Sequence, residues 1–171
     1  MGKPKMTGKA GTKDPKVVSP AEMLRIRKKL KSQGRKVVFT NGCFDLLHAG
    51  HIRLFREAKA QGDVLIVALN DDASVGRLKG CDRPIFPLSE RMEVLAAVEF
   101  IDYVTWFSDD TPQRIIAALV PDVLVKGGDW TPEKVVGRPE VEAAGGKVVI
   151  VPYVKGKSTT SVIDKIRKHF S

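Results

Sequence analysis

From Val37 onward, short runs of β-branched and apolar residues alternate with stretches whose apolar positions recur every three or four residues. The runs fall at Lys36–Thr40, Val64–Leu69, Tyr103–Trp106, Val123–Lys126 and Val148–Val151, each of strand length. Between them, Ile52–Gln61, Ser89–Val98, Pro112–Leu119, a short piece near Glu140–Ala144 and Thr160–Phe170 read as helices. Strands separated by helices predict an α/β fold: a Rossmann-like, doubly wound five-stranded parallel sheet with helices on both faces. Ligands bind such sheets outside the carboxyl ends of the strands. The linker-like stretches Asn70–Pro87 and Gly127–Pro139 follow strands, where function is expected.

Upstream of the alternation the pattern changes. Ser19-Pro20 has the form of an N-cap followed by a first-turn proline, and Gly34 that of a C-terminal stop. Between them Met23, Leu24, Ile26 and Leu30 make a partly apolar face among lysines and arginines, which predicts a surface helix packed on one side. The expected organisation is a flexible basic tail over residues 1–18, an N-terminal helix over 19–34 and one domain over 35–171.

Charge changes this picture less than its total suggests. The net charge is +9, but residues 1–16 hold five lysines and one aspartate (+4), and residues 22–36 hold seven basic residues and one glutamate (+6), leaving −1 for the rest. A nucleic-acid domain spreads its basic residues over the recognition face, so no nucleic-acid partner is expected. Nor is a membrane, because no apolar run reaches about 18 residues. Residues Met1–Lys16 lack the apolar centre of a signal peptide, and Cys43 and Cys81 stand in unlike contexts, so a cytoplasmic location is expected.

The stretch Phe39 to His51 concentrates the candidate chemistry. A strand runs through a glycine turn into the start of an amphipathic helix, where His48 and His51 stand. Helix starts attract anions, and a protonated imidazole adds two charge-assisted donors. Three readings compete for these histidines. They can cap or pack the helix; they can form a zinc pair completed by Cys43, Asp45, Cys81 or His169, for which no metal spacing is present; or they can hold phosphate. The phosphate reading fits the strand–glycine–helix context without a further assumption.

The run Gly42-Cys43-Phe44-Asp45-Leu46-Leu47-His48-Ala49-Gly50-His51 resembles the HxGH signature of the nucleotidyltransferase superfamily, in its cytidylyltransferase-like branch. Further runs are similar to the bacterial heptose 1-phosphate adenylyltransferases: Asn70-Asp71-Asp72-Ala73-Ser74, Arg77-Leu78-Lys79-Gly80, Arg83-Pro84, Pro87-Leu88, Glu90-Arg91-Met92, Asp110-Thr111-Pro112-Gln113, Lys126-Gly127-Gly128-Asp129-Trp130 and Lys157-Ser158-Thr159-Thr160. The resemblance covers about Arg35 to the C-terminus, making residues 35–171 the expected nucleotidyltransferase domain. At 171 residues there is no room for the sugar-kinase half of the bifunctional forms, so the expectation is the stand-alone form.

What the resemblance implies is concrete. A sugar 1-phosphate oxygen attacks the α-phosphorus of ATP in line and pyrophosphate leaves. The nucleophile is already ionised at neutral pH, so positioning and charge stabilisation matter more than a general base. Catalytic roles fall to His48, His51 and Lys79, with Lys79 in a loop that closes on the phosphates. Nucleotide contacts fall to Asn41, Gly42, Cys43 (through its backbone N–H), Phe44, Gly50, Arg91, Gly127, Asp129, Ser158, Thr159 and Thr160, besides the two histidines. Substrate contacts fall to Asp45, Lys126 and Trp130 as well as Lys79; Trp130 can stack on a ligand or simply close the core. The hydroxyls of Ser158 to Thr160 can bind an anion or merely cap a helix. Mg²⁺ is expected on the ATP phosphates with no protein cage, and a homodimer is expected. Glycerol-phosphate cytidylyltransferases carry an Arg-Thr-Glu-Gly-like run before the Ser-Thr-Thr helix start. Here that region reads Tyr153-Val154-Lys155-Gly156, which favours ATP with a heptose 1-phosphate over the alternative, CTP with glycerol 3-phosphate or a similar alcohol phosphate.

Overall fold

The computed structural model describes residues 14–128, 130–152 and 159–170. Five strands, β1 (Val37–Gly42), β2 (Val64–Asn70), β3 (Tyr103–Phe107), β4 (Val123–Gly127) and β5 (Lys147–Val151), form one sheet in the order β3-β2-β1-β4-β5. Every pairing is parallel. The helices are α1 (Pro20–Ser32), α2 (Ala49–Lys59), α3 (Asp72–Lys79), α4 (Leu88–Ala96), α5 (Gln113–Leu119), α6 (Arg138–Ala143) and α7 (Thr159–Phe170), with a 3₁₀ turn at Pro132–Lys134. This is the expected doubly wound architecture.

The strands are buried on both faces, and successive residues serve different layers. Val38, Leu65, Val67, Leu69 and Val125 pack with Leu54 and Phe55 of α2 and Leu95 of α4. Val37, Phe39, Ile66, Ala68 and Leu124 pack with Met23 and Leu30 of α1, Ile116 of α5 and Val141 of α6. The apolar run Val64–Leu69 of β2, a strand buried at every position, follows from having a layer on each side.

Two expectations need correction, and a third is extended. The stretch Asn70–Pro87 is not a linker: Asp72–Lys79 is helical, with Asp71 as N-cap accepting from the Ser74 N–H. Its helical signal is weak because only Val75 and Ser74 are buried while Leu78 faces outward. The tail ends before residue 18, since Val17 bridges Val104 in parallel, Val18 N–H donates to Val104 O at 3.0 Å and Val104 N–H to Lys16 O at 2.8 Å. Residues 16–18 thus lie along the outer edge of β3. Lastly, α1 buries Arg27 together with Met23 and Leu30. The Arg27 guanidinium donates from Nε to Leu119 O and from Nη2 to Val120 O and Asp122 Oδ1, while Asp122 Oδ2 accepts from the Val37 N–H. It terminates α5, where Val120 is held at φ +42°, a backbone conformation costly for a β-branched residue.

Replacing Arg27 by Ala leaves two carbonyls and a carboxylate without their donor. The expected loss is about 3 kcal/mol, read as a lower urea midpoint with an unchanged slope.

Candidate active site

β1 and β4 are neighbours, yet their connections run to opposite sides of the sheet. Their register is shared only at Val38–Val123 and Phe39–Leu124, although β1 continues to Gly42 and β4 to Gly127. The two carboxyl ends part, and a pocket of about 580 Å³ opens there. Its lining includes Asn41 to Asp45, His48, Gly50, His51, Lys79, Lys126, Gly127, Trp130 and Thr159.

β1 runs two residues beyond the expected Thr40, so Asn41 and Gly42 belong to the strand. A Cβ on Gly42 would lie 3.0 Å from the Phe44 ring. Phe44 itself takes φ +44°, a strained conformation for a non-glycine residue. That turn sends its ring inward, edge-on to His51 at 5.3 Å and against Phe55 at 5.1 Å. Phe44 is therefore buried behind His51 and backs it.

His48 is the N-cap of α2, and its Nδ1 accepts the Gly50 N–H at 3.2 Å. In the neutral ring this places the proton on Nε2, as a donor. The N–H groups of His51 and Ile52 go to His48 O. Much of the first turn is thus capped internally, and the expected cradle of open backbone donors gives way to the imidazoles. His51 stacks on His48 with centroids 3.9 Å apart. Burial and then the neighbouring His48 push the His51 imidazole down to about 4, so it is neutral at pH 7. Its Nδ1 is buried without a hydrogen-bond partner among the described residues.

Other expected residues have different environments. Lys79 is the exposed last residue of α3, not part of a long loop, and it lines the pocket before Gly80, which has φ +104°. Arg91 does not present its donors to the pocket. Its side chain is fully buried and reaches Cys43 O, Asn70 O, Phe86 O and Asp72 Oδ1 at 2.6 to 3.0 Å. It ties the ends of β1 and β2 to α3, which makes it a positioning residue rather than a phosphate ligand.

The Asp45 carboxylate is likewise engaged, with no exposure. It accepts from Arg83 Nε at 2.6 Å and from the N–H groups of Ile85 and Phe86 at 2.9 to 3.0 Å. Burial alone would raise its pKa; those N–H groups and Arg83 outweigh it and hold the carboxyl below its usual range. Asp45 shapes the wall by anchoring residues 83–86, and that correction replaces a direct substrate contact. Burial pushes the Cys43 thiol up, so it stays protonated at neutral pH.

Across the crevice, Lys126 Nζ donates to Asn41 Oδ1. Gly127 leaves room for Leu54, which a Cβ would meet at 3.2 Å. Trp130 is 46% exposed at the pocket, so the alternative in which it closes the core does not hold. Thr159 begins α7 and its hydroxyl donates to Leu46 O at 3.4 Å. Asp129 and Ser158 lie outside the described residues, as does the Thr160 side chain. The pocket also has lining residues absent from the expected set, among them Asn70, Leu78, Arg83, Asp110 and Thr111. All five sit inside the runs that carried the resemblance, which was the available signal. Arg77 braces this wall from α3, donating to Asp110 Oδ1 and Ser108 O.

A parallel sheet opened at its switch point, with paired histidines at a helix start, is an arrangement that can receive a phosphate-bearing ligand. The chain belongs to the cytidylyltransferase-like family of nucleotidyltransferases, whose description matches residues 39–164. It is 52% identical over 154 residues to the bifunctional protein HldE of Geotalea uraniireducens (strain Rf4), covering 90% of this chain and 31% of that one. It is 57% identical over 149 residues to the bifunctional protein HldE of Marinomonas sp. (strain MWYL1), covering 87% and 31%. The chain therefore spans about a third of the length of these curated relatives. Among solved structures it is similar to the lipopolysaccharide core biosynthesis protein of Thermoplasma volcanium GSS1, with a TM-score of 0.58 and 27% identity over 72% of this chain and all of that one. It shares the fold of pantoate-beta-alanine ligase from Francisella tularensis, with a TM-score of 0.60 and 17% identity over 87% of this chain and 72% of that one.

A neutral, half-buried His51 has a consequence for acid stability. Between pH 6.5 and about 4 the unfolded chain binds a proton that the native ring refuses, so stability falls as pH falls through that window. The contribution reaches up to about 3 kcal/mol at its lower end. His51→Gln should remove it, flattening the pH dependence of the urea midpoint over that range.

Proposed function

We propose that this chain transfers the adenylyl group of ATP to a heptose 1-phosphate, releasing pyrophosphate and yielding ADP-heptose for lipopolysaccharide or another surface polysaccharide. The observation that carries the reading is the stacked His48–His51 pair facing the crevice between β1 and β4. Imidazole N–H groups there can donate to a phosphate, and a neutral His51 beside His48 does so without a like-charge penalty before it binds. The acceptor oxygen bonds to the α-phosphorus as the bond to the bridging oxygen breaks, and the electron pair leaves with pyrophosphate. Lys79 reaches the phosphates from α3, and Gly127, Trp130 and Thr159 border the nucleoside.

The choice of heptose 1-phosphate rests on the similarity to the HldE proteins and to a lipopolysaccharide core biosynthesis protein. Mg²⁺ would arrive on the ATP phosphates, as that ion's retained waters favour. The pocket's donor set fits this, since Asp45 is held by Arg83 and Asp110 by Arg77. Among the described residues no helix is long and apolar enough to cross a membrane. The reading includes a homodimer in the cytoplasm.

A grid of ATP and CTP against heptose 1-phosphate, other sugar 1-phosphates and glycerol 3-phosphate, with pyrophosphate release as readout, tests it. ATP with heptose 1-phosphate should give ADP-heptose. Release only with CTP and an alcohol phosphate would support the cytidylyl alternative, and no release with any sugar 1-phosphate would end the proposal. His48→Ala and His51→Ala should each lower kcat by about 10² to 10³-fold with circular dichroism unchanged.

A further inference from the structure

Apart from Lys79, which is exposed at the end of α3, the cations around the pocket differ in one respect. Arg83 is paired with Asp45, Arg77 with Asp110 and Arg91 with Asp72. Lys126 is held by a neutral amide, Asn41, and no carboxylate among the described residues forms an ion pair with it. A buried ammonium without a counter-ion is unfavourable, and burial pushes Lys126 down to about 8. An aliphatic side chain would fill this place in β4 at lower cost. Lys126 also lies where the strand ends part, next to Asn41 of β1, the strand that leads into the histidine turn. The counter-ion that the described residues do not supply is one that a phosphate ligand brings.

We infer that Lys126 is a catalytic cation of the transfer step, taking the anionic oxygens of the phosphoryl group in transfer as its counter-ion, with Asn41 as the residue that aims it. The inference rests on the nucleotidyl-transfer reading of this pocket. No proton passes to or from the ammonium during the reaction. It offsets charge on the non-bridging oxygens while the acceptor oxygen bonds to the α-phosphorus and the pyrophosphate oxygen departs with its electron pair. The imidazoles and Lys126 then approach the same group from the two strands that bound the crevice.

Calorimetric titration with ATP at pH 8, in two buffers of different ionisation enthalpy, reads the protons taken up on binding. At that pH the ATP phosphates are ionised, the buried Cys43 thiol is protonated and His51 is far above its range. The native protein should take up a fraction of a proton per ATP, because burial leaves Lys126 partly neutral beforehand. Lys126→Met should take up none. With the acceptor present, Lys126→Met should lose about 10²-fold or more in kcat, Lys126→Arg should regain part of it, and the Tm of Lys126→Met should not fall. Asn41→Ala should keep the proton uptake while kcat drops, which separates aiming from charge. Equal uptake in Lys126→Met and the native protein, or a kcat within about threefold, would overturn the assignment. If the Met variant does not fold, Lys126→Gln goes through the same titration: no uptake supports the assignment, and uptake equal to the native protein's overturns it. Proton uptake with ATP but no turnover of any acceptor phosphate counts against the substrate reading and leaves Lys126 in place; ATP binding without uptake counts against Lys126 whatever the acceptor.

Discussion

The separation of β1 from β4 is the constraint on which the site depends. Parallel strands whose crossovers go to opposite faces can pair through their middles but leave their exits open. Here pairing ends at Phe39 and Leu124, and the residues at the ends of both strands border the opening. Asn41 and Gly42 come from one side, Lys126 and Gly127 from the other. The chain then has to turn at once into α2, and the left-handed Phe44 is the residue that accommodates it. Its ring fills the space behind His51, so one strained position both makes the turn and supports an imidazole.

Around this opening the protein engages its own charges selectively. Asp45, Arg83 and Arg91 satisfy one another or backbone groups and serve as struts. His51 and Lys126 are left with environments that disfavour their charged forms. Preorganisation in this site therefore consists of cations held below full charge, with the geometry to accept it. An anion entering such a pocket gains more than it would at an exposed lysine cluster, where charge is already screened by water and salt.

The sheet was legible because each strand is a compact β-branched run and the helices between them, apart from α3, have a clear apolar period. Helix α3 was not, since only Ser74 and Val75 turn inward and the rest of Asp72–Lys79 reads as polar loop. His48 and His51 were legible from the turn they follow, and Lys79 from its resemblance to related sequences. The engagement of Asp45 and Arg91 was not: a carboxylate or guanidinium looks the same in sequence whether it meets a ligand or a backbone carbonyl. Arg27 was hidden for a related reason, sitting among surface lysines and arginines while its partners, Leu119 to Asp122, lie more than ninety residues away. Lys126 was visible as a motif residue, but its distance from the described carboxylates is a property of three dimensions.

The segment at Lys16–Val18 has a bearing on how the molecule keeps to itself. A parallel sheet has two exposed margins, and an uncovered one offers unpaired N–H and C=O groups to any other extended chain. At β3 that margin is occupied by the protein's own N-terminal residues, which pair with Val104 from outside. Removing them would take Val17 and Val18 from the two core layers and open a template for intermolecular pairing. The short bridge therefore guards solubility as well as stability, and a domain trimmed to start at Ser19 would lose packing and gain a tendency to self-associate.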